Sequence, residues 1–201
     1  TPAVAVLVEQ HCPGLHVDAS YGGAAAIAPV LRWVLEGAER ADSIVVNPHK
    51  WLFTPIDCSV LWTRRPEMLR GAFSIVPEYL TTSDGAEQDA PNLMDYGTSL
   101  GRRMRALKLW MVIRHFGTDG LAARIRQHCA YAAMVARWAQ SEPDFELLAP
   151  APLSVVCLRT HPPVLDDPGT LDPLNKRIMQ RSNTGGRLFL SHTRPVCAYD
   201  I

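Results

Sequence analysis

Residues 15–47 constrain the fold of this chain more than any other stretch. Leu15 to Ser20 reads as a short buried strand, Pro29 to Ala41 as a helix with proline in its first turn, and Ser43 to Asn47 as a second strand. Strand, helix and strand within about 30 residues is the pattern of two adjacent parallel strands joined by a right-handed crossover. The expected class is therefore α/β. With 201 residues, 47% of them apolar, the chain can bury a core as one domain or as parts of two.

The rest of the chain continues the pattern and then changes it. Asp57 to Thr63 predicts a further strand, and Pro77 to Thr98 a long polar connection of the kind that serves as an active-site lid. Leu100 to Phe116 predicts a helix with Leu100, Met104, Leu107 and Met111 on one apolar stripe, ended by Gly117. Thr118 to Gln140 predicts a second long helix with Thr118 as its N-cap. Phe145 to Leu148, Val155 to Arg159 and Arg187 to Ser191 read as strands, and Leu171 to Asn183 as a helix closed by Gly185. That tail is α+β. Ala3 to Val8 alternates like a strand, yet its place before a parallel strand suits a helix.

Composition narrows the function classes. Twenty basic and twenty acidic residues balance, so no net field favours nucleic acid or an anionic membrane. The run Arg102, Arg103, Arg105 and Lys108 lies on the flank of a helix with an apolar stripe and reads as a solvated, salt-bridged face. Five widely spaced cysteines without a CxxC pair argue against a disulfide framework and for a reducing, cytoplasmic setting. His11, Cys12 and His16 fit no zinc spacing, so no metal is expected. No apolar stretch approaches the roughly 20 residues needed to span a bilayer.

The chemistry sits at the ends of the first two strands. Asn47-Pro48-His49-Lys50-Trp51 places a lysine directly behind the second strand, and Asp18 closes the first. Open α/β sheets bind ligands at the carboxyl edge of neighbouring strands. A carboxylate and an amine there suit an aldehyde cofactor with a pyridine ring, pyridoxal phosphate: the amine holds the aldehyde and the carboxylate keeps the ring nitrogen protonated. Alone, a His-Lys pair is usually a solvated lysine and a strand-end aspartate a turn former. Their juxtaposition carries the reading.

Four segments in order, LHVDASYGG, NPHKWLFTPIDCS, PEYL around Tyr79 and SLGRRMRALKLW, resemble the pyridoxal-phosphate-dependent group II decarboxylases, with the aromatic-L-amino-acid branch nearest. The resemblance runs from the start to about Pro150 and more weakly to His192. It implies a fold-type I transferase-like architecture: residues 1–115 as part of the large domain, a mostly parallel sheet with flanking helices, and residues 116–201 as part of a small α+β C-terminal domain. It further implies that Lys50 binds pyridoxal 5'-phosphate covalently and that Asp18 pairs with the ring nitrogen. Asn47 and His49 would approach the phosphate, and Tyr79, in a mobile loop, would protonate the substrate α-carbon. A phenylalanine in place of that tyrosine accompanies an aldehyde-forming outcome in related enzymes.

The implied activity is decarboxylation of an L-amino acid to its amine, by a homodimer. Trp51 and Asp57-Cys58-Ser59 lean toward an aromatic substrate; tryptophan, tyrosine, dihydroxyphenylalanine and phenylalanine all stay open. Two other readings stand beside it: a different fold-type I enzyme, such as an aminotransferase or desulfurase, and a catalytically silent fragment. The chain starts at Thr1, stops at Ile201 just after a strand-like run, and departs from the family at Pro195, so a fragment is expected, with the main phosphate-binding loop and the ring-stacking histidine lying outside it.

Overall fold

The structure, a computed structural model, describes residues 2–11, 14–74 and 92–193. In chain order the elements are α1 (Pro2–His11), β1 (His16–Asp18), β2 (Ser43–Val46), α2 (Pro48–Trp51), β3 (Val60–Thr63), α3 (Pro66–Phe73), α4 (Arg105–Ser141), β4 (Phe145–Leu147), β5 (Leu158–Thr160) and α5 (Pro168–Thr184). The chain divides into two compact units, Thr1–Ala123 and Arg124–Ile201. The ambiguous first segment is a helix. Among the described residues no helix is long and apolar enough to cross a membrane.

In the first unit the strands form one sheet in the order β1-β2-β3. β1 and β2 run parallel, with Asp18 opposite Val45, as the crossover pattern requires. β3 is antiparallel to β2, with Val46 opposite Val60. This three-stranded sheet is therefore mixed, half parallel and half antiparallel, rather than mostly parallel. Asp42 secures the amino ends of the parallel pair: its carboxylate accepts from Leu15 N at 2.8 Å, and its own N–H donates to Leu15 O at 2.8 Å.

The crossover itself departs from expectation. Residues 19–42 hold three short 3-10 segments, Gly22–Ile27, Pro29–Leu35 and Ala38–Arg40, and no α-helix. Pro29 disfavours the helical region for the residue before it, and Ala28 is extended at φ −87°, ψ 119°. Gly37, in the left-handed region at φ 80°, breaks the other end. Between the two breaks the chain takes 3-10 turns. The first segment lies directly on the sheet, since a Cβ on Gly23 would stand 2.7 Å from Val46 Cγ2 and 3.0 Å from Ala19 Cβ. An apolar cavity of about 340 Å³ opens beside it, lined by Ile27, Leu35, Ile44, Val46 and Trp62.

α4 begins at Arg105, five residues later than the sequence pattern places it, and Gly117 (φ 64°, ψ 170°) interrupts it where a stop was expected. Arg105 is held at the start by Asp57, which accepts from its Nε and Nη2 at 2.8 and 2.7 Å, with Lys108 Nζ 3.7 Å from the same carboxylate. The basic run is thus partly a salt-bridged face, as expected. The apolar stripe is not buried: Leu100, Met104, Leu107 and Met111 are 66, 76, 43 and 54% exposed. Leu100 and Met104 precede the helix, so the four do not share one helical face.

In the second unit β4 and β5 pair antiparallel, and Trp138 packs on Phe145 at 4.7 Å between ring centroids. Asn175 of α5 extends this ribbon with its side chain, accepting from Thr160 N at 2.8 Å and donating to Thr160 O at 2.9 Å. The strand expected at Arg187 to Ser191 does not form. Asn183 takes both backbone groups of Leu190 instead, at 2.7 and 2.9 Å, which satisfies them without a partner strand.

Two measurements test this account of the first unit. Gly23→Ala should lower stability by about 1–3 kcal/mol, because a stiff β-branched valine must give way; Gly71→Ala, with open space around it in α3, should raise it by about 0.5–1 kcal/mol. Thermal unfolding that ranks the two variants in the opposite order contradicts the close-approach argument. Asp57 is the subject of the second. The Arg105 hydrogen bonds hold its carboxyl at about 2, so the stabilisation is present above the ordinary carboxylate range and fades as pH falls from about 4 toward 2. Asp57→Asn should therefore flatten the acid arm of a Tm-against-pH curve over that window, modestly because the pair is solvent-screened. Parallel curves for the two proteins would remove the role.

Candidate active site

The carboxyl ends of β1 and β2 are where the functional side chains gather. Because β1 and β2 are parallel and in register at Asp18 and Val45, both strands deliver their following residues to one edge of the sheet. Val46 ends β2, Asn47 is extended at φ −107°, and Pro48 starts the single turn of α2. The Lys50 N–H closes that turn on Asn47 O at 2.9 Å. Asp18, His16 and Ser43 share one sheet face, with His16 Nδ1 2.7 Å from Ser43 Oγ, whereas Ile44 and Val46 point to the apolar cavity on the other. The cavity is not the site.

Ser20 joins the predicted residues. Its N–H donates to Asp18 Oδ1 at 2.9 Å, its carbonyl accepts from Asn47 N at 2.9 Å, and its hydroxyl accepts from Lys50 Nζ at 2.8 Å. Directly beneath, Tyr21 and Trp51, the next residues along each segment, stack with ring centroids 4.8 Å apart and planes 1° from parallel. Trp51 is buried, while Asp18 and Lys50 are exposed. The Ser20 N–H and hydroxyl, followed by the charges of Lys50 and His16, hold the Asp18 carboxyl below its ordinary range against a small opposing cost of burial. Asp18 is therefore an anion at neutral pH.

Asn47 and His49 are fixed by the loop that follows. Asn47 Oδ1 accepts from Ser59 Oγ at 2.6 Å, which leaves the amide NH2 as its donor. His49 Nδ1 lies 2.6 Å from Cys58 O and 3.0 Å from Cys58 N, and its backbone N–H donates to Cys58 O at 3.3 Å. Nε2 is then the ring atom that can meet an anion. Phe53, between α2 and this loop, adopts φ 55°, a left-handed conformation that costs a non-glycine residue about 1–2 kcal/mol. Its ring meets Phe116 edge-on at 6.4 Å.

Of the sequence-predicted residues, the fold brings Asp18, Asn47, His49 and Lys50 to one edge; Tyr79 and Cys12 lie outside the described residues, as does most of the Pro77 to Thr98 connection. Ser20 was missed. Its one signal was position, two residues past the aspartate in the motif that carries it. The donor set suits pyridoxal phosphate: a primary amine for the aldehyde, a carboxylate held in its charged form for the ring nitrogen, and an amide and an imidazole for phosphate oxygens. No group of three or more histidine, cysteine or acidic side chains among the described residues could hold a metal ion.

Comparison with known proteins agrees with this chemistry. Residues 2–161 match the family described as "Pyridoxal-dependent decarboxylase conserved domain". A tryptophan decarboxylase of Camptotheca acuminata is 38% identical over 179 residues, 89% of this chain and 36% of that protein. A phenylacetaldehyde synthase of Arabidopsis thaliana is also 38% identical, over 89% of this chain and 36% of its own length. A crystal structure of Oryza sativa TDC with PLP and tryptamine superposes with a TM-score of 0.87 at 35% identity, covering 96% of this chain and 40% of that one. The chain thus spans somewhat more than a third of the length of such relatives. With the matched region covering most of its residues, the chain belongs to the pyridoxal-dependent decarboxylase family.

Proposed function

We propose that this chain supplies the lysine and aspartate part of a site that decarboxylates an aromatic L-amino acid to its amine with pyridoxal 5'-phosphate. The observation that carries the reading is the convergence of Lys50 and Asp18 on one sheet edge through the parallel register of β1 and β2. In that role Lys50 is the covalent anchor, Asn47 and His49 contact the phosphate, and Tyr79 donates the proton that completes the reaction. Residues 1–115 act as part of the cofactor-binding large domain and residues 116–201 as part of the small domain. The working form is a cytoplasmic homodimer whose remaining cofactor contacts come from sequence outside these 201 residues.

When bound, the cofactor draws electrons from the substrate α-carbon, so that carbon dioxide can leave. The protein's own contribution is positional and electrostatic. Asp18 must stay charged to hold a proton on the ring nitrogen, and the Ser20 N–H and hydroxyl favour that charged form. Asn47 and His49, each pinned on one side by the Cys58-Ser59 loop, keep single donors oriented toward an anion. The Tyr79 hydroxyl can return a proton to the α-carbon, which a phenylalanine could not.

That last point separates two outcomes seen among the relatives, which include both decarboxylases and aldehyde synthases. Tyr79 supports the amine-forming outcome. The aromatic substrate is supported by the tryptophan, tyrosine and aromatic-L-amino-acid decarboxylases among the relatives.

Reductive trapping tests the anchor. In the protein assembled with its complete site, incubation with pyridoxal phosphate and then borohydride should place the adduct on Lys50 and not on Lys108 or Lys176, and Lys50→Ala should lose it; a stable adduct elsewhere, or none, overturns the assignment. Product analysis tests Tyr79. In the protein assembled with its complete site, Tyr79→Phe should lose amine formation at least tenfold and release aldehyde, whereas unchanged amine output at the parental rate would exclude the tyrosine as proton donor.

A further inference from the structure

Ser20 touches three members of the candidate site, and its hydroxyl serves both Asp18 and Lys50. Its N–H goes to Asp18, its carbonyl to the N–H of Asn47 and its hydroxyl to the amine of Lys50. The contacts to Asp18, two residues back, are those of an ordinary strand-end turn; the contact to Lys50 is not. Here the hydroxyl spans 30 residues of sequence to reach the lysine at 2.8 Å. The Tyr21 and Trp51 stack fixes the two backbones that carry it, so the contact is held by packing from below as well as by the hydrogen bond.

We propose that Ser20 is a positioning residue for Lys50: its hydroxyl docks the ε-amine whenever the lysine is not covalently engaged and keeps that amine beside Asp18. The proposal rests on the function put forward above, in which the Lys50 amine would be the covalent anchor of the cofactor. A lysine side chain carries roughly 2 kcal/mol of rotamer entropy. An amine released into open solvent would sample many orientations and would need to find the reacting atom again; one resting on Ser20 starts each return from a single place. Lys50 is exposed, so burial does not confine it; the Ser20 hydroxyl gives its amine a directed contact, beside the less directional attraction of the Asp18 carboxylate. A hydroxyl suits the task because it accepts from the ammonium or the amine alike and forms no ion pair that would hold the lysine back. An aspartate or glutamate at position 20 would trap the charged form.

The chain has three lysines, Lys50, Lys108 and Lys176, which makes the test direct. Acylation by an amine-reactive ester, without cofactor and followed by peptide mass spectrometry, gives the Lys50 rate relative to exposed Lys176. Ser20→Ala should raise that ratio about threefold to tenfold, the factor expected when one hydrogen bond is lost, and Ser20→Thr, which keeps the hydroxyl, should restore it. An unchanged ratio in Ser20→Ala overturns the proposal. If Ser20→Ala unfolds, all three lysines accelerate together, and the comparison passes to Ser20→Cys against Ser20→Thr: a higher Lys50 ratio in the cysteine variant supports docking, and equal ratios overturn it. Because the labelling needs no cofactor, a failed borohydride trap on Lys50 would sink the proposed function and leave the docking result to stand or fall by itself.

Discussion

The register of one pair of parallel strands governs the first unit. Asp18 opposite Val45 brings the residues after both strands to a common edge and puts Asp18, His16 and Ser43 on one face. A slip of a single residue would send Asp18 to the face that Ile44 and Val46 occupy, into an apolar cavity where a carboxylate would lose its hydration. The register is itself held from both ends. Asp42 exchanges hydrogen bonds with Leu15 at the amino end, and at the carboxyl end Asn47 N donates to Ser20 O. The site is therefore built by the same bonds that align the sheet.

Around that pair the chain uses small residues where backbones must meet and charged pairs where elements merely touch. Gly23 allows the crossover to rest on Val46, and a methyl group there would collide. Asp57 instead reaches across 48 residues to fasten the start of α4 through Arg105, in solvent, where such a pair adds little stability but specifies where the helix begins. The second unit solves a related problem with amides: Asn175 and Asn183 each satisfy both backbone groups of a distant residue, a job that otherwise needs another strand.

The exposure of Asp18 and Lys50 bears on the proposed chemistry. A cofactor site must exclude water if its charges are to act strongly, since interactions weaken in a high dielectric. In such relatives the matched region is about 36% of the protein. The proposed division of labour follows: these residues provide the reactive amine, its counterpart carboxylate and their spacing, and neighbouring sequence provides the enclosure.

Sequence alone determined the parallel pair, the break at Gly117, the α5 helix and the motif residues Asp18, Asn47, His49 and Lys50, because each leaves a local mark: a strand next to a proline turn, a glycine at a helix end, a lysine behind a strand. It misjudged what depends on distant partners. The crossover is a chain of 3-10 turns because Pro29 and Gly37 interrupt it on a surface that favours close contact, and Arg187 to Ser191 is no strand because Asn183 already occupies Leu190. Ser20 was hidden for the same reason. Nothing in a serine two residues after an aspartate reveals that its hydroxyl meets an amine 30 residues away; only the tertiary pairing of β1 with β2 brings the two within hydrogen-bonding distance.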